Sequence, residues 1–479
     1  MTMKRFLTLP LICILYLAAS ALPCAAETPF SLPAPDHIHY PPLRFEIPEP
    51  SRLVLENGII LYHMENRELP LVHVSTVIRT GSVFDPEGKE GLAELTADVM
   101  RIGGAASRTG DAIDETIESL AGILQVSANR ESCSASLSVL RQDLQQGLEI
   151  FSDILRYPSF EATKLLFAKK LKIEGIRRLR DDPQKLAFRE FNRLFFEGDP
   201  RGRYPTPLSI DALTRDDLIR FHQRYFHPAN IMMAITGDIS HSEAVELAMR
   251  YFGTWISSSV AVQAPQPKAD LQSGTFFLLK DIPQSIIING CFAPSKKETS
   301  FYAFEMIDFL AGSGGFRSRI FQQVRTDEGL AYSTGSFYRA RPDYGLFGTY
   351  VITKSDSTLR ALDLVDSIIG DFAARPVSID ELTSAKKAME NRFIFSFESA
   401  EKIVSQHLSV LYDDLPADFL KTYRGRIEKL RADDLLAVAR RYLHNSRHSL
   451  TLVLGNETVL ESLRKKRPNV KIVQLPFEE

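Results

Sequence analysis

Apolar residues recur three and four apart over eight stretches: 111–121, 140–155, 161–180, 183–196, 301–310, 359–374, 379–396 and 400–411. Residues so spaced share one face of a helix, so each stretch predicts an amphipathic helix. A second pattern, short apolar or alternating runs ending at glycine or proline, predicts strands at 69–82, 230–238, 282–295 and 449–456. The two patterns are repeated along the chain. DDLIRFHQRYFHP at 216–228 matches DDLLAVARRYLHN at 433–445, an offset of 217 residues, and each copy runs into a strand.

The repeat divides the chain into two homologous halves, 51–255 and 271–479, joined by a segment of linker composition at 256–270. Within each half strands and helices are grouped without strict β-α-β alternation. The expected fold class is therefore α+β, with helices packed on a mostly antiparallel sheet. His227 and His444 are the repeated histidines, and their place between a helix and a strand reads as structural capping rather than metal ligation. The basic run KKLKIEGIRRLR at 169–180 reads as a solvated face or a cleft wall.

Length and composition add an address. At 479 residues, with 44% hydrophobic and 24% charged residues, the chain is long enough for more than one globular core. Residues 1–26 have the form of a signal peptide: Lys4 and Arg5 precede an apolar run, and small residues precede an expected cut after Ala26. Pro23, where a small residue is wanted, argues against lipidation of Cys24. Loss of these residues takes the formal net charge from −3 to −5, which gives no footprint for nucleic acid. No later apolar run reaches the length of a membrane span. A periplasmic location is expected. Residues 27–50 form a proline-rich arm. Cys133 and Cys291, one in each half, either bridge the halves or lie buried and unpaired.

Chemistry concentrates in two places. The stretch 81–100 reads GSVFDPEGKEGLAELTADVM, a glycine- and proline-rich loop entering a helix with apolar Leu92, Leu95, Val99 and Met100. Glu94, Ala97 and Asp98 are expected together on the face away from those residues. This lead resembles that of the pitrilysin/insulinase/mitochondrial-processing-peptidase family, where it precedes the zinc motif H-x-x-E-H. Laid on that motif, Glu94 and Asp98 replace the two histidines, and Ala97 replaces the catalytic glutamate. The family's third ligand, a glutamate on a later helix, falls at Gly175, with Glu174 one residue early and so rotated about 100° around the helix. Two carboxylates can still attract a hard cation, but without a third partner the expectation is that this chain binds no metal. The bland alternative is that Glu94 and Asp98 sit near the helix N-terminus in solvent or against a basic neighbour.

The second place is GGFRSRIFQQVRTDEGLAY at 314–332. It looks like the family's C-terminal motif, in which an arginine and a tyrosine seven residues apart face the cleft, here Arg325 and Tyr332. In the bland reading Arg325 pairs with Asp327 or Glu328 and Tyr332 packs in a sheet. The resemblance, over about residues 50–460, implies two α+β halves forming a clamshell around extended peptide. It also implies a two-chain enzyme in which one subunit carries zinc and the other the Arg/Tyr pair. This chain matches the second kind: inactive alone, with peptide substrate and a homologous partner bearing an intact H-x-x-E-H. The alternative is a proteolytically dead peptide-binding or scaffold protein of the same fold.

Overall fold

The computed structural model describes residues 45–106, 108–256, 262–268, 272–443 and 449–475. The expected signal peptide, Cys24, most of the proline-rich arm, part of the linker and His444 lie outside the described residues. Ile47–Glu479 is one compact unit.

Two six-stranded sheets share one wiring. The first contains β1 (Ser51–Val54), β2 (Ile60–Glu65), β3 (Leu71–Ile78), β4 (Ile123–Ala128), β5 (Cys133–Leu140) and β6 (Ile231–Gly237), in the spatial order β1-β2-β6-β3-β5-β4. The second contains β7 (Gly274–Leu279), β8 (Gln284–Ala293), β9 (Ala331–Ala340), β10 (Gly345–Lys354), β11 (Ser449–Gly455) and β12 (Lys471–Ile472), in the order β12-β7-β11-β8-β10-β9. The late strands β6 and β11 insert at equivalent places, antiparallel to β3 and β8 and parallel to β2 and β7. The remaining pairs are antiparallel, apart from the short edge strand β12 on β7. The chain is thus an α+β protein of two like-wired halves.

The first half adds helices α1 (Leu92–Ile102), α2 (Gly110–Ser119), α3 (Leu144–Arg156), α4 (Ala162–Arg178), α5 (Pro183–Phe195), α6 (Pro207–Ala212), α7 (Arg215–Tyr225) and α8 (His241–Phe252). The second adds α9 (Phe301–Asp308), α10 (Thr358–Ala374), α11 (Ile379–Phe395), α12 (Ala400–Tyr412), α13 (Phe419–Glu428), α14 (Ala432–Tyr442) and α15 (Glu457–Lys466). Most of the expected helix ends fall within a few residues of these. The helix expected at 301–310 instead ends at Asp308 and passes into a π-helical turn, Phe309–Ser313. Each sheet packs one face on helices of its own half.

The opposite faces are covered by exchange. Helix α5, started by Pro183 and by the Asp182 side chain accepting from Lys185 N at 3.0 Å, crosses to the second sheet. There Leu186, Phe191 and Phe195 pack among Ile286, Ile288 and Leu452. Phe191 reaches the backbone because β8 carries Gly290, where a Cβ would stand 2.5 Å from the ring. Its repeat equivalent α12 crosses the other way and sets Val404 and Leu408 on Tyr62, Met232 and Ala234 of the first sheet. Covered on both sides, β6 is buried at every residue, while the edgeward β5 alternates.

A polar seam completes the join. Arg201, 1% exposed, pairs with Glu131 at 2.9 Å and Asp199 at 3.1 Å and donates to the Pro265 carbonyl at 2.7 Å. Arg79 donates to the Leu411 and Tyr412 carbonyls, capping the C-terminus of α12 from the other half. Cys133 and Cys291 lie in different sheets, buried and unpaired, and burial raises both thiol pKa values, that of Cys291 to about 12.

Candidate functional site

The loop before α1 is built to aim that helix. The Asp85 carboxylate accepts from Gly91 N at 2.8 Å and Ala93 N at 2.9 Å, so it satisfies amides at the helix start. Gly91 takes φ 98°, and a Cβ there would meet the Ile210 side chain at 2.4 Å. Asp85 is 3% exposed, and burial raises its pKa to about 7 despite the two amides that favour the anion.

Along α1, Leu92, Leu95, Val99 and Met100 enter the core as their spacing predicts. Ala97 does too: it is 0% exposed, which corrects the expectation that it shares an outward face with Glu94 and Asp98. The apolar arc of α1 is wide enough to take in position 97, because the helix packs against β4, α4 and α7 at once. Glu94 and Asp98 remain half-buried on the flank. Lys172 of α4 reaches between them, in direct contact with Glu94 and 3.9 Å from Asp98. Burial raises the Asp98 pKa; the Lys172 ammonium opposes that rise and the Glu94 carboxylate adds to it.

One turn beyond Lys172, Gly175 lines the same cavity, and a Cβ there would meet nothing within 4 Å. Glu174 does not line it and pairs instead with Arg178 at 2.9 Å. The cavity holds about 640 Å³, with Phe167, Leu171 and Ile176 supplying apolar wall and Glu94, Lys172 and Arg189 supplying charge. Sequence reasoning left Lys172 undistinguished within the basic run at 169–180. Its signal was its place three residues before Gly175, on the same face of one helix.

These residues do not fit a zinc ion. Such a site wants imidazole, thiolate or carboxylate donors around an open position, whereas here an ammonium already pairs with Glu94 and stands 3.9 Å from Asp98. Among the described residues no group of three or more His, Cys, Asp or Glu side chains is placed to hold a metal. His227 is buried, with its backbone carbonyl accepting from Asn230 N at 2.9 Å.

In the second half Arg325 stands in a π-helical stretch, Phe321–Asp327, a rare local winding that shifts the helix face. Its guanidinium lies 4.8 Å from the Phe321 ring centroid and 5.3 Å from that of Tyr332. Tyr332 is the second residue of β9 and is 85% exposed. Neither bland expectation holds: among the described residues Arg325 forms no ion pair with Asp327 or with Glu328, which pairs with Arg360 at 2.7 Å, and Tyr332, though a strand residue, is exposed rather than packed. Exposed Phe316 extends the platform, 4.9 Å from Phe321. The platform offers a guanidinium held by aromatic faces beside a phenol open to solvent. Arg325 and Tyr332 do not line the cavity at Glu94, so one chain carries the two groups apart.

Residues 63–204 match the family described as Insulinase (Peptidase family M16), and residues 212–389 match the description Peptidase M16 inactive domain. The chain belongs to peptidase family M16. Among M16 relatives, an uncharacterized zinc protease of Rickettsia bellii is 24% identical over 410 residues, covering 84% of this chain and 97% of the relative. A probable mitochondrial-processing peptidase subunit beta of Arabidopsis thaliana is 23% identical, over 83% of this chain and 77% of its own. The fold is shared with a peptidase M16 inactive domain from Pseudomonas fluorescens (TM-score 0.77, 22% identity, 85% of this chain and 98% of that one). A protease from Helicobacter pylori shares it as well (TM-score 0.76, 18% identity, 86% and 100%). The Insulinase (Peptidase family M16) match spans Glu94, Ala97, Asp98 and Gly175, and the inactive-domain match spans Arg325 and Tyr332.

Proposed function

We propose that this protein is the non-catalytic, substrate-gripping subunit of a two-chain zinc metalloendopeptidase of family M16, acting on extended peptides in the cell envelope. One observation carries the reading. Lys172 lies between Glu94 and Asp98, the residues that the resemblance sets on the metal motif, while Arg325 and Tyr332 stand together and exposed on their own platform. A solvent-facing Arg/Tyr pair supports a role in gripping substrate, and in the alternative reading, a scaffold that has left proteolysis, the same pair would serve peptide affinity alone.

In this reading the partner is a homologous subunit with an intact H-x-x-E-H, whose zinc supplies the activated water. Arg325 and Tyr332 donate hydrogen bonds to the scissile carbonyl oxygen and hold it as charge builds there. The aromatic faces under Arg325 fix the fork in advance, so little side-chain entropy is lost when substrate arrives. Export by the 1–26 leader, a linker at 256–270, and halves at 51–255 and 271–479 belong to the same reading. Among the described residues no helix is long and apolar enough to cross a membrane.

The test is peptide hydrolysis with zinc quantified, first on this chain alone and then mixed with an M16 subunit carrying H-x-x-E-H from the same genome. The expected result is activity only in the mixture. Arg325→Ala or Tyr332→Phe should lower kcat about 100-fold or more, the scale of a lost oxyanion donor. Absence of both binding and activity in the mixture would instead leave a peptide-holding scaffold.

A further inference from the structure

The equivalent hairpins of the two halves meet tip to tip. In the first, Asn129 N donates to Ser132 O at 2.7 Å, which puts Arg130 and Glu131 at the turn between β4 and β5. In the second, Arg341 N donates to Tyr344 O at 2.7 Å between β9 and β10. Glu131 joins the tips: it pairs with Arg341 at 3.2 Å and accepts from the Tyr344 hydroxyl at 3.2 Å. Beside this junction is a cavity of about 580 Å³ lined by Arg130, Arg203, Arg339 and Arg341 among others.

Four acidic residues line it: Glu90 accepts from the Gly88 amide at 3.0 Å, and the other three are engaged elsewhere. Glu131 serves Arg201 and Arg341, Glu94 serves Lys172, and Asp85 is occupied by the α1 amides. Among the described residues Arg130, Arg203 and Arg339 therefore have no carboxylate partner. Arg130 is fixed by other means: it donates to the Tyr204 hydroxyl at 2.6 Å and lies over the Tyr204 and Phe196 rings. Partial burial, and then the neighbouring Arg130 guanidinium, pull the Arg339 pKa below the ordinary arginine value. Gathering guanidiniums against their own repulsion destabilises the free protein, and an anion from outside would remove that cost.

We propose that this cavity binds a carboxylate of the peptide, either an acidic side chain or the C-terminal group, through Arg130, Arg203 and Arg339. The chemistry follows from the fork geometry of guanidinium, which matches a carboxylate bidentately. The location follows from continuity, because Glu94, Tyr204 and Pro205 line both this cavity and the one between α1 and α4. A peptide lying in the latter can therefore extend a carboxylate into the former. The inference rests on the reading that the chain holds peptide.

The experiment is fluorescence anisotropy on the full mature chain with four labelled decapeptides of one sequence. They carry Glu or Gln at one internal position, each with a free or an amidated C-terminus. A tenfold or greater preference for Glu over Gln is expected if the side chain is the ligand, and for free acid over amide if the terminus is. That preference should weaken as salt is raised from 50 to about 500 mM. In Arg339→Gln and in Arg130→Gln, each checked for an unchanged thermal midpoint, the ratio should fall towards one. Equal binding of all four peptides overturns the carboxylate site while leaving the peptide-holding reading intact, and no binding of any overturns both.

Discussion

At the scale of single residues the chemistry of this chain turns on charges that have changed partners. A metal-binding helix needs its donors neutral or anionic around a shared cation; α1 presents two carboxylates, and Lys172 brings the cation as a side chain. Asp85 shows the opposite arrangement, a carboxyl so buried that its pKa stands at about 7. Because the folded pKa lies above the unfolded value near 3.8, the folded state binds the extra proton. The stabilising contribution is whole below about pH 4 and is lost as pH rises to about 7. Asp85→Asn, which copies the neutral carboxyl, should therefore flatten the fall of the thermal midpoint between pH 4 and 7. The difference from the native chain should reach a few kcal/mol, on the order of 2 to 4, at neutral pH. A melting series in both proteins checks it, and parallel curves would show that Asp85 is ionised throughout. Glu94, Asp98 and Gly175 were singled out in the sequence by the resemblance, because a motif is a local string. Lys172 was not, since nothing within the string says that α4 will lie against α1.

At the scale of elements, periodicity located most of the helices and the four anticipated strands to within a few residues, for amphipathicity is written locally in each segment. It did not say which surface each apolar face would find. Helix α5 has the sequence of an ordinary first-half helix, and its fully buried Phe191 belongs to the core of the second sheet. Phe191→Ala should cost about 3–5 kcal/mol, the scale for a large aromatic removed from a closed core. Ala at the neighbouring exposed Lys185 should cost under about 1 kcal/mol, even with loss of its surface pairing to Asp182. Chemical denaturation of the two variants distinguishes this arrangement from one in which α5 merely rests on the surface. The π-helical stretches at Phe309–Ser313 and Phe321–Asp327 were read through as ordinary helix or motif, because a single inserted residue leaves the apolar pattern on either side intact.

At the scale of the whole molecule, the exchange of α5 and α12 and the buried seam around Arg201 make two sequence repeats into one cooperative body. Calorimetry on residues 27–479 should give a single transition, with calorimetric and van't Hoff enthalpies equal within about 10%. Two resolved transitions would mean that each half keeps its fold without the other's helix. The same join brings equivalent hairpin tips together and makes the arginine-lined cavity, which exists in neither half alone. What the sequence determined by itself was the α+β character, the repeat and the family resemblance, all carried by neighbouring residues or by a fixed offset. Only the tertiary structure decided that Ala97 is core, that Lys172 lies against Glu94 and Asp98, and that guanidiniums from both halves without a carboxylate partner line one space. Those outcomes depend on contacts between segments some 70 to more than 200 residues apart, and such contacts are set by which surfaces close on one another.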